Sequence, residues 1–288
     1  MEINGHTRLC GVIGNPVEHT LSPTIHNSLA KKQGHDLVYV PFHVEKEYLA
    51  EAIKGAYGLN ILGMNVTVPY KSDVISSLRA IDASAERIGA INTLVRMEGG
   101  YKGYNTDFLG LYRAMCSEGI KLEGEKIVLL GAGGAARAAA FLCAEKGAER
   151  VYLLNRSIDK AQKLAEEVNN AFDRQCIQPM ETTDYEKLPD QKMLAVQSTS
   201  VGLHPDTEKA VIEDKEFFKN IHTAYDLIYK PEETKFMRLV KEAGGEAYNG
   251  LKMLLYQGII AYELWNQVEV SEETAKEVYE LMKERVRI

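Results

Sequence analysis

Short apolar runs alternate along this chain with longer segments whose apolar positions recur at helical spacing, separated by turns rich in Gly, Asn and Pro. The run at 9–14 ends in Gly-Asn-Pro and predicts a strand leading into a turn. Residues 22–33 predict a helix with Ser22 as its cap and Pro23 in its first turn. Strands are expected at 37–44 and 63–68, with a helix at 48–57 between them. A second series opens with a strand at 126–130, followed by glycines and a helix at 135–146. It continues with a strand at 151–154, a helix at 158–169, and strands at 194–197 and 223–227. Residues 251–288 lack proline and predict two helices parted near 267–271, the second amphipathic over 269–284. Such alternation predicts an α/β protein with mostly parallel sheets. No internal repeat is visible. The expected domains are 1–105 joined by the C-terminal helices at 250–288, which pack back on it, and 106–249.

The length, 288 residues, suits about two domains of ordinary size. A net charge of −7 argues against a nucleic-acid or anionic-membrane partner. No basic-then-apolar leader and no apolar run of about 20 residues is present, so a cytoplasmic location is expected. The four cysteines form no CxxC pair, and Cys116 and Cys143 lie in apolar helical patterns that predict buried free thiols. The histidines show neither HExxH nor a spaced His/Cys cluster, so no metal is expected. His19 and His26 read as packed or solvent-facing groups, and Trp265 with Tyr262 as helix packing. No GxSxG elbow points to a serine hydrolase.

The sharpest local signal is Gly131-Ala132-Gly133-Gly134-Ala135-Ala136, a GxGxxA turn between an expected strand and helix. Gly131 permits the tight turn, Gly133 lets backbone approach a pyrophosphate, and Ala136 permits close helix–strand packing. The helix N-terminus adds free N–H groups and the positive end of its dipole. An NAD site usually carries Asp or Glu at the end of the next strand for the ribose 2′-hydroxyl. Here that position reads Asn155-Arg156-Ser157, with Lys160 one turn later. Arg156 can fork onto a 2′-phosphate and Lys160 can add charge, which favours NADP. The alternative is a solvated helix start, where cations oppose the helix dipole.

Polar clusters in the first half follow apolar strands: Asn15 to Pro23, Asn65 to Lys71, Gly89 to Thr93 and Gly103 to Asp107. Singly, each reads as turn chemistry, and Asp107 as the cap or first-turn acid of a helix at 108–118. In this order, GNPVEHTLSP, NVTVPYK, GAINT, GYNTD, GAGGAARA, NRSIDKA, STSVGL, YDLIYKP and GLKMLLYQG resemble the shikimate dehydrogenase family, from Gly14 to Gln257. The resemblance implies an N-terminal substrate domain and a Rossmann-type NADP-binding domain. It implies reversible reduction of 3-dehydroshikimate to shikimate by NADPH, in the biosynthesis of chorismate and aromatic amino acids. Lys71 and Asp107 would be the catalytic pair. Thr20 and Ser22 would bind the substrate carboxylate; Asn65, Thr67, Asn92 and Gln257 would hold ring hydroxyls together with Asp107, with Tyr229 nearby. Thr199, Leu227 and Gly250 would complete the cofactor set.

The chemistry suits those residue types, because hydride reduction of a ketone leaves an alkoxide that a neighbouring Lys ammonium can stabilise and protonate. Three positions depart from the family's pattern. Thr20 stands where a serine is usual, Gln197 and Ser198 where Asn-Ala is common, and Lys160 where NADP-type members often carry Arg. The alternatives are a quinate/shikimate dehydrogenase using NAD(P), a catalytically silent NADP-binding sensor, and a folate-type dehydrogenase. The expected partner is a small molecule, with the protein a monomer or homodimer.

Overall fold

A computed structural model describes residues 2–287. In chain order the elements are β1 (Arg8–Gly14), α1 (Ser22–Gln33), β2 (Leu37–His43), α2 (Leu49–Gly58), β3 (Gly63–Val66), β4 (Ala80–Ile81), α3 (Ala83–Ile88), β5 (Thr93–Met97), β6 (Gly100–Tyr104) and α4 (Thr106–Ser117). There follow β7 (Lys126–Leu130), α5 (Gly134–Glu145), β8 (Arg150–Asn155), α6 (Ile158–Phe172), β9 (Ile177–Glu181), β10 (Met193–Gln197), α7 (Lys215–Lys219), β11 (Ile221–Asp226), α8 (Lys235–Glu242), β12 (Glu246–Tyr248), α9 (Leu251–Asn266) and α10 (Glu272–Arg287). The chain forms two compact units, one of Met1–Gly110 with Leu254–Ile288 and the other of Leu111–Met253.

The first unit holds a six-stranded sheet in the order β2-β1-β3-β5-β6-β4. β1 pairs parallel to β2 and β3, β4 pairs parallel to β6, and β5 runs antiparallel to both β3 and β6. The β5–β6 hairpin turns at Glu98-Gly99, where Gly99 takes a φ of 78° that glycine alone adopts freely. The C-terminal helices return to this unit. Trp265 of α9 lies directly over Gly63 in β3, leaving no room for a Cβ there, and its Nε1 donates to Leu94 O at 2.9 Å.

The second unit holds a wholly parallel sheet in the order β12-β11-β10-β7-β8-β9. Counted within the unit and read from β9, this is strand order 3-2-1-4-5-6, the dinucleotide-binding arrangement. Its central strands are covered on both faces: all of β10 and all but the first residue of β7 are buried. That is why they read as unbroken apolar runs in the sequence.

Three local expectations need correction. Ser22 is not the cap of α1: Leu21 holds the cap position without a side-chain bond, and Ser22 opens the helix. Thr20 makes the turn instead, its Oγ1 accepting from Ser22 N at 3.2 Å. α4 starts earlier than the sequence suggests, and Asn105, not Asp107, plays the cap-like role, accepting from Phe108 N at 3.1 Å. Cys116 is exposed, although all four thiols are free. The buried stripe of α4 runs through Leu111, Ala114 and Met115, and Cys116 is one residue further round the helix.

Candidate active site

Sheet topology gathers the polar clusters of the first unit along one edge. The carboxyl ends of β1, β3 and β6 point the same way, and antiparallel β5 brings its first residue there, with Asn65 opposite Thr93 and Thr93 opposite Tyr104. Lys71 follows β3, Asn92 precedes β5, and Asp107 opens α4 just after β6.

Lys71 Nζ donates to Asp107 Oδ2 at 2.6 Å. The two side chains are 34% and 19% exposed, so the pair is open to a ligand from one side. Beside it, Asn65 and Asn92 are buried and tied into one network. Asn65 Nδ2 donates to Asn92 O at 3.2 Å and to Thr93 Oγ1 at 3.0 Å. Asn92 Oδ1 accepts from Thr106 N at 2.7 Å, and Asn92 Nδ2 donates to Thr106 Oγ1 at 3.0 Å. Each amide is held on several sides, which fixes its rotamer before any ligand arrives.

Thr20 and Ser22 lie together after β1, with hydroxyl oxygens 3.1 Å apart. Thr67 is anchored through its backbone, N donating to Ile13 O at 2.9 Å, and its methyl occupies the space left by Gly14. Gln257 on α9 is buried and donates through Nε2 to Leu254 O at 2.8 Å. It crosses α4 at Gly110, where a Cβ would stand 2.6 Å from Gln257 N. Tyr229 lies in the second unit, half-buried, and burial pushes its phenol up.

In the second unit, every residue read as a cofactor contact follows the carboxyl end of a parallel strand, where open α/β sheets bind ligands. Gly131 to Ala136 follow β7, Asn155 to Lys160 close β8 and open α6, and Thr199, Leu227 and Gly250 follow β10, β11 and β12. Gly131 adopts a φ of 108°, and a Cβ there would meet Ser198 Oγ and Thr199 Cγ2 at 2.9 Å. Gly133 differs: it caps α5 at a φ of −89°, and beyond its two chain neighbours no atom of the described residues lies within 4 Å of where its Cβ would be. Its lack of a side chain serves no packing inside the protein. α5 has neither a side-chain cap nor an acidic residue in its first turn, so its amino end is free to meet an anion. The side chains of Arg156 and Lys160 are exposed and make no ion pair or hydrogen bond among the described residues, and no carboxylate stands at the end of β8. This donor set fits NADP.

Two features have roles that their place in the sequence does not signal. Gln197 is buried and organises the loop after β10: Nε2 lies 3.3 Å from each of Thr199 O, Val201 O and Asp226 Oδ1. Asp226 also accepts from Thr234 Oγ1 at 2.6 Å and Ile228 N at 2.9 Å, and burial pushes its carboxyl up to about 6. The departure at Gln197 and Ser198 therefore has a local role, since Ser198 Oγ donates to Leu130 O at 2.6 Å and ties the exits of β10 and β7 together. The second feature is Tyr39, whose hydroxyl donates to Asn65 Oδ1 at 2.7 Å. Its position inside a β-rich run gave no sign of this. Among the described residues, no group of three or more His, Cys, Asp or Glu is placed to hold a metal ion, and no helix is long and apolar enough to cross a membrane.

A Rossmann-ordered parallel sheet with a glycine turn, joined to a second α/β unit carrying a Lys–Asp pair, defines a nicotinamide-dinucleotide type of two-domain protein. The family pattern described as "Shikimate dehydrogenase substrate binding domain" matches residues 12–94, and "Shikimate / quinate 5-dehydrogenase" matches residues 114–201. The chain belongs to the shikimate dehydrogenase family. It is 40% identical over 273 residues to a shikimate dehydrogenase (NADP(+)) of Carboxydothermus hydrogenoformans, covering 93% of this chain and 95% of that protein. It is also similar to shikimate 5-dehydrogenase from Listeria monocytogenes, solved with shikimate and NAD, with a TM-score of 0.91, 31% identity and 98% of both chains covered. The Thermus thermophilus enzyme, solved with NADP(H) and shikimate, gives a TM-score of 0.82 and 33% identity over 95% of this chain and 99% of that one.

Proposed function

We propose that this protein catalyses the reversible NADPH-dependent reduction of 3-dehydroshikimate to shikimate, on the route to chorismate and the aromatic amino acids. The observation that carries the reading is the Lys71–Asp107 pair at 2.6 Å, set among buried amides in a member of this family. NADPH, when bound, supplies the hydride. Lys71 then stabilises the oxygen that gains negative charge and delivers its proton to it; in the reverse direction it receives that proton. Asp107 orients the ammonium. Thr20 and Ser22 bind the carboxylate, and Asn65, Thr67, Asn92, Gln257 and Asp107 hold ring hydroxyls, with Tyr229 completing the set.

Gly131 to Ala136, Thr199, Leu227 and Gly250 hold the dinucleotide, and Asn155, Arg156, Ser157 and Lys160 hold its adenosine end. Arg156 and Lys160, whose side chains have no partner among the described residues, fit a 2′-phosphate, which supports NADP over NAD. The protein works in the cytoplasm as a monomer or homodimer, with residues 1–105 and 250–288 serving the acid and 106–249 the cofactor. The experiment is an initial-rate comparison of shikimate and quinate, each with NADP and with NAD. Turnover dominated by shikimate with NADP supports the proposal. Dominance of quinate with NAD would overturn both the cofactor assignment and the biosynthetic role while leaving the catalytic pair in place.

A further inference from the structure

Tyr39 is among the largest fully buried side chains and bonds directly to one of the proposed hydroxyl-binding groups, and the reaction itself makes no use of it. Three contacts hold it. Asn27 of α1 brackets its backbone, Nδ2 donating to Tyr39 O at 2.9 Å while Oδ1 accepts from Tyr39 N at 2.8 Å. His26, the preceding residue, stacks on the phenol ring with centroids 4.1 Å apart and planes within 16°. The phenol hydroxyl donates to Asn65 Oδ1 at 2.7 Å. His26 is fully buried, and burial pushes it down to about 3, outweighing the opposite pull of the Asn65 side chain beside it, so it acts as a neutral plate.

The polarity of the two neighbouring amides can be counted. A primary amide has two N–H donors and two acceptor lone pairs. Asn65 Nδ2 faces Asn92 O, a carbonyl that can only accept, so the amide orientation is forced. Its second N–H goes to Thr93 Oγ1, and one lone pair of Oδ1 takes the Tyr39 hydroxyl. What remains for a ligand is one acceptor. Asn92 is the reverse: Oδ1 faces Thr106 N, which can only donate, and also lies within reach of the Thr93 and Thr106 hydroxyls. One N–H of Asn92 goes to Thr106 Oγ1, leaving one donor. Asn65 thus offers a lone pair and Asn92 an N–H.

We propose that Tyr39 is a positioning residue that tethers the Asn65 amide oxygen, so that Asn65 receives a hydrogen bond from one substrate hydroxyl while Asn92 donates to another. The two chains of support, His26 and Asn27 from α1 and β2 itself, make Tyr39 a rigid strut between helix and sheet. The inference rests on the reading of Asn65 as a substrate contact.

The test is a double-mutant cycle with Tyr39→Phe and Asn65→Ala in the full-length enzyme, reading KM for shikimate, KM for NADP and kcat separately. Tyr39→Phe keeps the ring and its stack on His26 and removes only the hydroxyl. It should raise KM for shikimate about fivefold, the loss of one modest hydrogen bond, and leave KM for NADP unaltered. In the Asn65→Ala background the same substitution should change KM for shikimate less than about twofold, since its route of action is gone. Asn27→Ala, which frees Tyr39 from the backbone side, should shift KM in the same direction and serves if Tyr39→Phe does not fold. Should Asn65→Ala leave KM for shikimate unchanged, the substrate role of Asn65 falls and Tyr39's role with it. If Asn65→Ala raises KM and Tyr39→Phe does not, only the role of Tyr39 is overturned. Equal effects of Tyr39→Phe in both backgrounds would also overturn it, by showing that Tyr39 does not act through Asn65.

Discussion

Asp107 Oδ2 receives a hydrogen bond from Lys71 Nζ at 2.6 Å across 36 residues of chain, and among the described residues neither side chain makes another ion pair or hydrogen bond. A lysine held in one direction by a single carboxylate keeps two N–H groups for a ligand. Replacing Lys71 by Met should therefore lower kcat by about 10²- to 10⁴-fold, the range of general acid–base catalysis. The affinity for NADP should stay near wild type. Stopped-flow rates and a separate titration of NADP check both halves, and a variant with near-normal kcat would remove Lys71 from the chemistry.

The glycines of the turn after β7 should behave differently from one another. Gly131→Ala forces a Cβ to within 2.9 Å of Ser198 Oγ and Thr199 Cγ2 at a φ of 108°. It should cost about 1–3 kcal/mol of stability. Gly133→Ala meets nothing at an ordinary φ, so the melting temperature should hold while NADP binding weakens. Thermal denaturation with and without NADP separates the cases. Unimpaired NADP binding by Gly133→Ala would mean that no phosphate approaches that backbone.

Arg156 stands exposed just after β8, its side chain without a partner among the described residues. A charge-assisted hydrogen bond to a 2′-phosphate is worth about 1.5–3 kcal/mol, so Arg156→Ala should raise KM for NADP about tenfold or more. KM for NAD, which lacks that phosphate, should barely move. Parallel loss with both cofactors would place Arg156 elsewhere than on the 2′-phosphate.

The buried carboxyl of Asp226, pushed up to about 6 from an ordinary 3.8, carries a pH signature. The folded protein binds this proton more tightly than the unfolded chain does. Its contribution to stability is therefore fully present below about pH 4 and is lost as pH rises through about 6. Asp226→Asn cannot lose a proton there. Relative to that variant, the wild type should lose up to about 3 kcal/mol of stability between pH 4 and 7. Urea unfolding of both proteins across that range is the measurement, and a gap that does not vary with pH would show Asp226 to titrate in its ordinary range.

Much of the architecture was legible because its causes are local. β7 and β10 read as apolar runs because both faces are covered, and Gly131 marks a turn whose φ is a property of one residue. The β5–β6 hairpin is less plain in the sequence, its sign being Glu98-Gly99-Gly100 between two short runs. The exposure of Cys116 is not legible, because apolar composition alone does not say which side of α4 a residue occupies, and one step along a helix turns a side chain by about 100°.

Local sequence sets the alternation of strands and helices, the glycine turn, the basic Arg156 after the next strand, and the polar residues that follow strands. All of these depend on backbone preference, side-chain size and spacing within a few residues. Tertiary structure alone decided that Lys71 meets Asp107, that Asn65 and Asn92 present opposite polarity, and that Gln197 clasps Asp226. Those relations join residues far apart in the chain. They arise only when the order of strands in a sheet, set by the burial of both its faces, brings separate loops to one edge.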